Sequence, residues 1–123
     1  MEELDEFFAR YSDRYMASDV DAISVMYETP LLAVREGNAI HLPDRDTVRA
    51  HFAEVMAAYV RSGAARADVT ELDVVSLGNS SVFATVHWHV RDAEGGLIKD
   101  FRTTYQLLRA DAGWRILTYT NHD

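Results

Sequence analysis

Four hydroxyl side chains, Thr103, Tyr105, Thr118 and Thr120, alternate along two segments that also carry Phe101, Leu107, Trp114 and Ile116. Residues two apart in a strand share a face. Together with Trp88, these hydroxyls would therefore gather on one apolar surface. An apolar cavity with a few convergent polar groups suits a small, largely apolar organic molecule. Threonine is also a good strand former, so a filled core fits the same pattern. The run His87-Trp88-His89 places two imidazoles on one face, at a spacing that metal sites use. Asp100 becomes a third ligand if it lies across from His89. Arg102, expected beside His87, opposes a cation. The sequence therefore predicts histidines paired with Asp100 at an interface, and no bound metal. His41, just before a helix start, would sit at the mouth of the pocket as an acid/base group or ligand contact. No Ser-His-Asp arrangement, glycine-rich phosphate loop or nucleotide fingerprint is present, and no cofactor is expected.

These residues need elements to position them. Leu4, Phe7, Phe8, Tyr11 and Tyr15 recur at helical spacing and predict a first helix over about Glu2 to Ala17. Its acidic start complements the helix dipole. Asp19 is a good cap for a second, short helix carrying Ile23, Met26 and Tyr27, ended by Pro30. Two short extended pieces follow, Leu31–Arg35 and Ala39–Leu42. Pro43-Asp44 then opens a third helix bearing Val48, Phe52, Val55, Met56 and Tyr59, closed by Ser62-Gly63. The second half changes period. Runs of period two near Ala67–Leu77, Val82–Arg91, Leu97–Arg109 and Trp114–Asn121 are separated by turn residues. This is an antiparallel meander, and the whole is an α+β layout in one domain, residues 1–123.

Pairing Asp92 with Leu97 and Arg109 with Trp114 fixes the faces. The inner face then holds Val82, Ala84, Val86, Trp88, Phe101, Thr103, Tyr105, Leu107, Trp114, Ile116, Thr118 and Thr120. With Tyr11 and Tyr15 from the first helix, its polar and aromatic members would line the cavity. The outer face holds Phe83, His87, His89, Arg102, Leu117 and Tyr119. Aromatic, Arg and His residues on a broad sheet face predict a homodimer through that face. An ordinary mixed surface is the alternative.

Composition narrows the function classes. The 123 residues carry a net charge of −8 and no cysteine, and Lys99 is the only lysine. An acidic surface repels nucleic-acid phosphates and anionic lipid, so neither partner is expected. Without cysteine there are no disulfides or thiolate nucleophiles. The start MEELDEFFAR lacks the basic residues and apolar run of a signal peptide, and predicts a cytoplasmic location.

The order of elements, the segment SDVDAISVMY and the ending LLRADAGWRILTYTNHD resemble the nuclear transport factor 2-like superfamily, shared with SnoaL-type cyclases and ketosteroid isomerase. The resemblance covers nearly the whole chain. It implies a cone-shaped, curved sheet wrapped on three helices around an internal pocket, commonly in a dimer built on the convex faces. Members differ in activity, so chemistry must come from the site. By likeness to ketosteroid isomerase, Arg10-Tyr11 matches the segment bearing an oxyanion-binding tyrosine. Glu36 falls near the carboxylate base, and Tyr105 stands where an aspartate is usual. The resemblance thus implies Glu36 as proton shuttle with Tyr11 and Tyr105 as donors. A non-catalytic homodimeric binding module is the alternative from a different class.

Overall fold

The computed structural model describes residues 3–123. Its elements are α1 (Leu4–Met16), α2 (Val20–Ser24), β1 (Tyr27–Arg35), β2 (Asn38–Leu42), α3 (Arg45–Arg61), β3 (Ala64–Leu77), β4 (Ser81–Asp92), β5 (Leu97–Ala110) and β6 (Gly113–His122). The expected start of α1 at Glu2 lies outside the described residues. Helix α1 buries Phe7, Phe8 and Tyr11, with Asp5 and Glu6 in its first turn. Asp19 caps α2 by accepting from the Ala22 amide at 3.1 Å. The helix stops at Ser24, so Tyr27 belongs to β1 and not to α2. Pro30 lies within β1, where the pairing with β6 shifts register between Tyr27 and Leu32. An irregular ladder tolerates a residue that has no N–H to donate. Helix α3 begins with a reciprocal box: Asp44 accepts from the Thr47 amide at 2.9 Å, and Thr47 Oγ1 accepts from the Asp44 amide at 3.2 Å.

The strands form one six-stranded, curved and unclosed sheet in the order β2-β1-β6-β5-β4-β3. All pairs are antiparallel except β1 with β6. The small hairpin thus extends the meander by docking along its last strand. Buried residues of α1 and α3 pack against the inner face in a core that includes Phe8, Phe52, Val86, Leu107 and Ile116. None of the described helices is long and apolar enough to cross a membrane.

Most of the expected β4–β5 register is present: Val82 faces Leu107, Ala84 faces Tyr105, Val86 faces Thr103 and Trp88 faces Phe101. At the hairpin end Arg91, not Asp92, pairs with Leu97. Asp92 is drawn out of the ladder because its carboxylate accepts from the amides of Glu94 and Gly96, at 2.9 and 2.8 Å. The larger correction lies between β5 and β6. Arg109 faces Trp114 and Leu107 faces Ile116, as expected, but Gln106 then faces Thr118. Leu117 is an extra residue, a bulge, and it inverts every later side chain. Tyr119 and Asn121 turn inward, while Thr118 and Thr120 turn out. The bulge lets a large ring fill the interior in place of a threonine: Tyr119 is 3% exposed, against Tyr27 and Phe52 at ring-centre distances of 6.1 and 6.0 Å.

Candidate functional site

Between α1, α3 and the inner sheet face lies a cavity walled by Tyr11, Tyr15, Phe52, Trp88, Phe101, Thr103, Tyr105, Tyr119 and Asn121, among others. Its volume is about 50 Å³. Several of its polar groups are already paired. The Tyr11 and Tyr27 hydroxyls are 2.6 Å apart. Trp88 Nε1 donates to the Tyr105 hydroxyl at 3.2 Å, and Thr103 Oγ1 donates to Asn121 Oδ1 at 2.9 Å. Burial pushes the Tyr11, Tyr15 and Tyr27 phenols well above their usual range. Burial also raises the Tyr105 phenol, and the hydrogen bond from Trp88 works against that rise. These phenols therefore stay protonated at ordinary pH. No carboxylate stands in the cavity wall among the described residues, so the interior contains donors and acceptors but no ionised base.

The chemistry shifts at the mouth. Arg35 and Tyr59 line both this cavity and an open groove of about 580 Å³ between the β1–β2 turn, α3 and the start of β5. His51, on α3 one residue before Phe52, reaches Tyr119: its Nε2 lies 2.7 Å from the hydroxyl. Arg35 Nη1 donates to the same oxygen at 3.4 Å. A guanidinium has no acceptor, so the Tyr119 proton is free to point at His51 Nε2. Partial burial and the nearby Arg35 charge hold the His51 imidazole below its ordinary value, which keeps it neutral and accepting. Burial raises the Tyr119 phenol, and Arg35 works against that rise. The arrangement is a polarised relay, Arg35 to Tyr119 to His51, placed where the closed cavity meets solvent.

Over residues 2–123 the sequence matches the family described as NTF2-like protein (DUF6841). The chain belongs to this family. A search of curated proteins found no match. Among solved structures, an NTF2-like protein with a cystatin-like fold from Novosphingobium aromaticivorans superposes with a TM-score of 0.76 at 22% identity, covering 97% of this chain and 78% of the other. Aln2 from a Streptomyces species gives 0.76 at 18% identity, with 98% and 87% covered. A candidate dehydratase of the NTF2-like family from Streptomyces avermitilis gives 0.68 at 17% identity, with 90% and 86% covered. At these identities the likeness shows the fold alone.

Within this NTF2-like domain, Tyr11, Tyr15, Trp88, Thr103 and Tyr105 stand in the cavity wall. Thr118 and Thr120 do not, because of the bulge at Leu117. Glu36 is not beside Tyr11 and Tyr105. It occupies the β1–β2 turn at φ 52°, exposed to solvent on the rim of the outer groove. The tight turn formed with Gly37 directs it away from the interior. His41 is exposed on β2, and its neighbour Ile40 faces the groove instead. Sequence reading passed over His51, Arg35 and Asn121 and put Tyr119 on the wrong face. His51 carried a signal: it lies three residues after Val48 and four before Val55, on the helix face that Val48 buries.

Of the expected interface residues, Phe83, His87, His89 and Arg102 do project from the outer face. Tyr119 lies inside and Leu117 sits in the bulge. His87 Nε2 contacts Asp100 Oδ1 at 2.5 Å, and His89 Nε2 lies 3.5 Å from Asp100 Oδ2. The His87 hydrogen bond draws the Asp100 carboxyl below its usual range. Donor atoms of these three residues lie within 4.8 Å of one another, close enough to share an ion. Positive charge flanks them. Arg102 is directly across from His87, and Arg91 Nη2 lies 3.3 Å from His89 Nδ1.

Proposed function

We propose that the chain binds a small organic molecule across the cavity mouth and moves a proton on it, with His51 as the base and Tyr119 as the hydroxyl partner. The observation that carries this reading is the 2.7 Å contact between His51 Nε2 and the Tyr119 hydroxyl at the junction of cavity and groove. Histidine is the side chain whose ordinary titration range spans neutral pH, and His51 is the only histidine in either wall among the described residues. The proton-shuttle role implied for Glu36 moves to His51, because Glu36 is exposed on the rim.

Volume places the ligand. Small-molecule sites usually enclose roughly 300–1,000 Å³. The closed cavity, at about 50 Å³, admits only the tip of such a molecule, whereas the groove, at about 580 Å³, accommodates its body. The reacting carbon would then lie beside His51 and Tyr119, with the aromatic cavity receiving an apolar end. Proton removal next to a carbonyl fits this geometry: the Tyr119 hydroxyl would turn its proton from His51 Nε2 to the substrate oxygen, and the freed nitrogen would take the α-proton. SnoaL-like cyclisation and isomerisation both begin with that step. A homodimer through the outer sheet face and a cytoplasmic location complete the reading.

The test is exchange of ligand α-protons in D2O, followed by proton NMR over a panel of cyclic ketones, for the wild type and for His51→Gln. General-base loss is expected to slow exchange by about 10²–10⁴-fold. A His51→Gln variant that exchanges at the wild-type rate would remove His51 from the role. One observation favours a second reading, a non-catalytic homodimeric module. The described buried side-chain polar atoms are all satisfied without a ligand. Ligand binding with no exchange in any panel member would support it.

A further inference from the structure

The groove is unusual for so acidic a chain. Its wall presents Arg35, Arg61 and Lys99 against Glu36 and Glu54, three cations to two carboxylates, in a protein of net charge −8. Arg35 and Lys99 sit nearest the aromatic interior. Neither forms an ion pair among the described residues. Among the described residues the Arg35 guanidinium makes one hydrogen bond, the long one to Tyr119 at 3.4 Å, which leaves most of its five donors unused. The Lys99 ammonium lies over the Phe101 ring at 4.5 Å and near the Tyr59 ring at 5.7 Å. Phe101 lines the cavity and Tyr59 lines both spaces.

Two like charges at one opening are costly unless something answers them. Partial desolvation and the Arg35 charge hold the Lys99 ammonium below its ordinary value, and Glu36 on the same rim only partly offsets them. Lysines that only decorate a surface find a carboxylate or extend into water. Here the side chain rests on two aromatic faces beside a guanidinium instead.

We infer that the mouth recognises a carboxylate carried by an aromatic or unsaturated ligand, held between Arg35 and Lys99 with the hydrocarbon part directed into the tyrosine-lined cavity. A planar guanidinium fork matches a carboxylate in two-point contact, and Lys99 adds a point charge from β5. The aromatic lining beyond them accepts a flat ring. The inference rests on the pocket reading above and adds the charge and class of the ligand. It also accounts for where the charge lies: the cavity wall holds one charged group, Arg35, among neutral ones, whereas the groove wall gathers three cations and two carboxylates.

The experiment is calorimetric titration of the full chain with 2-naphthoate, with the isosteric 2-naphthamide and with inorganic phosphate. It is run at low and high salt, and repeated on Lys99→Met and Arg35→Gln, with thermal melts to show that each variant folds. Lys99→Met keeps an apolar stem over the rings and removes the charge. Naphthoate is expected to bind at least about tenfold more tightly than the amide, as charge-assisted bonds imply. The preference should shrink with salt and fall in Lys99→Met and in Arg35→Gln, with amide binding changing far less. Equal binding of acid and amide would overturn the charge inference and leave the pocket reading standing. Binding of neither compound would overturn both. Phosphate binding without naphthoate binding would show an anion site of a different kind and overturn the carboxylate assignment.

Discussion

Removing the Tyr11 hydroxyl should cost more than removing its partner's, and the asymmetry can be worked out from the interior. The Tyr11 and Tyr27 hydroxyls are 2.6 Å apart in a buried setting, with the two residues 6% and 1% exposed. Tyr11 also borders the cavity, which has room for a water, whereas Tyr27 does not line it. Tyr27 has no other side-chain partner in this network. Tyr11→Phe therefore leaves the Tyr27 hydroxyl buried and unpaired, at about 1–3 kcal/mol. Tyr27→Phe leaves the Tyr11 hydroxyl at the cavity wall, where a water can pair with it, and costs about 0.5–1.5 kcal/mol. The double variant removes the orphan as well, so it should be more stable than Tyr11→Phe alone. For a domain of this size 1 kcal/mol shifts the melting temperature by about 4 °C. Calorimetric melts of the four proteins make the comparison directly. Equal costs for the two single variants would refute the reasoning, because they would mean that water reaches Tyr27 and that the interior is wet. A double variant as unstable as the sum of the singles would refute the proposed coupling.

Two further outcomes follow from the same geometry. The His51 value is lowered in the fold, so the unfolded chain binds the proton more readily. Its contribution to stability is therefore complete above the ordinary value of 6.5 and is lost as pH falls through the lowered folded value. Urea midpoints measured at pH 7.5 and pH 5.5 should drop more for the wild type than for His51→Gln, and equal drops would contradict the assignment. On the outer sheet face Phe83 is 41% exposed. If that face joins two copies, Phe83→Glu should halve the mass seen by light scattering without lowering the melting temperature of the monomer, and an unchanged mass would locate the interface elsewhere.

How much of this was legible in the sequence depends on the range of the forces involved. Helix faces and caps are local, and Asp19, Asp44 and the Phe7/Phe8/Tyr11 stripe announced α1, α2 and α3. Strand alternation is also local, so Val82, Ala84, Val86 and Trp88 were placed on the inner face with the correct partners on β5. The parallel docking of β1 on β6 was not legible, because it is set by tertiary burial and leaves no periodic mark. The region after Ile116 misled for the same reason. Alternation there favours two threonines inside, but the space beside Tyr27 and Phe52 is better filled by Tyr119. That preference belongs to a cavity whose walls come from seven elements spread along the chain. Glu36 was misplaced through likeness in sequence position, which does not report on the positive φ that turns it to solvent. Arg35 and His51 needed the assembled mouth to acquire meaning, since neither is part of a motif.

The extra residue at 117 behaves like a shift of reading frame within β6. Ahead of it, odd and even positions have one assignment to interior and exterior; after it, the assignment is exchanged. The last segment thus encodes two alternative linings, Tyr119 with Asn121 or Thr118 with Thr120, and the bulge chooses between them without changing any residue. Relatives that lack the bulge would present a different chemistry to the same cavity from a nearly identical ending. Any position-by-position comparison across this family must therefore be re-phased after residue 116 before a mouth tyrosine in one protein is equated with a surface residue in another.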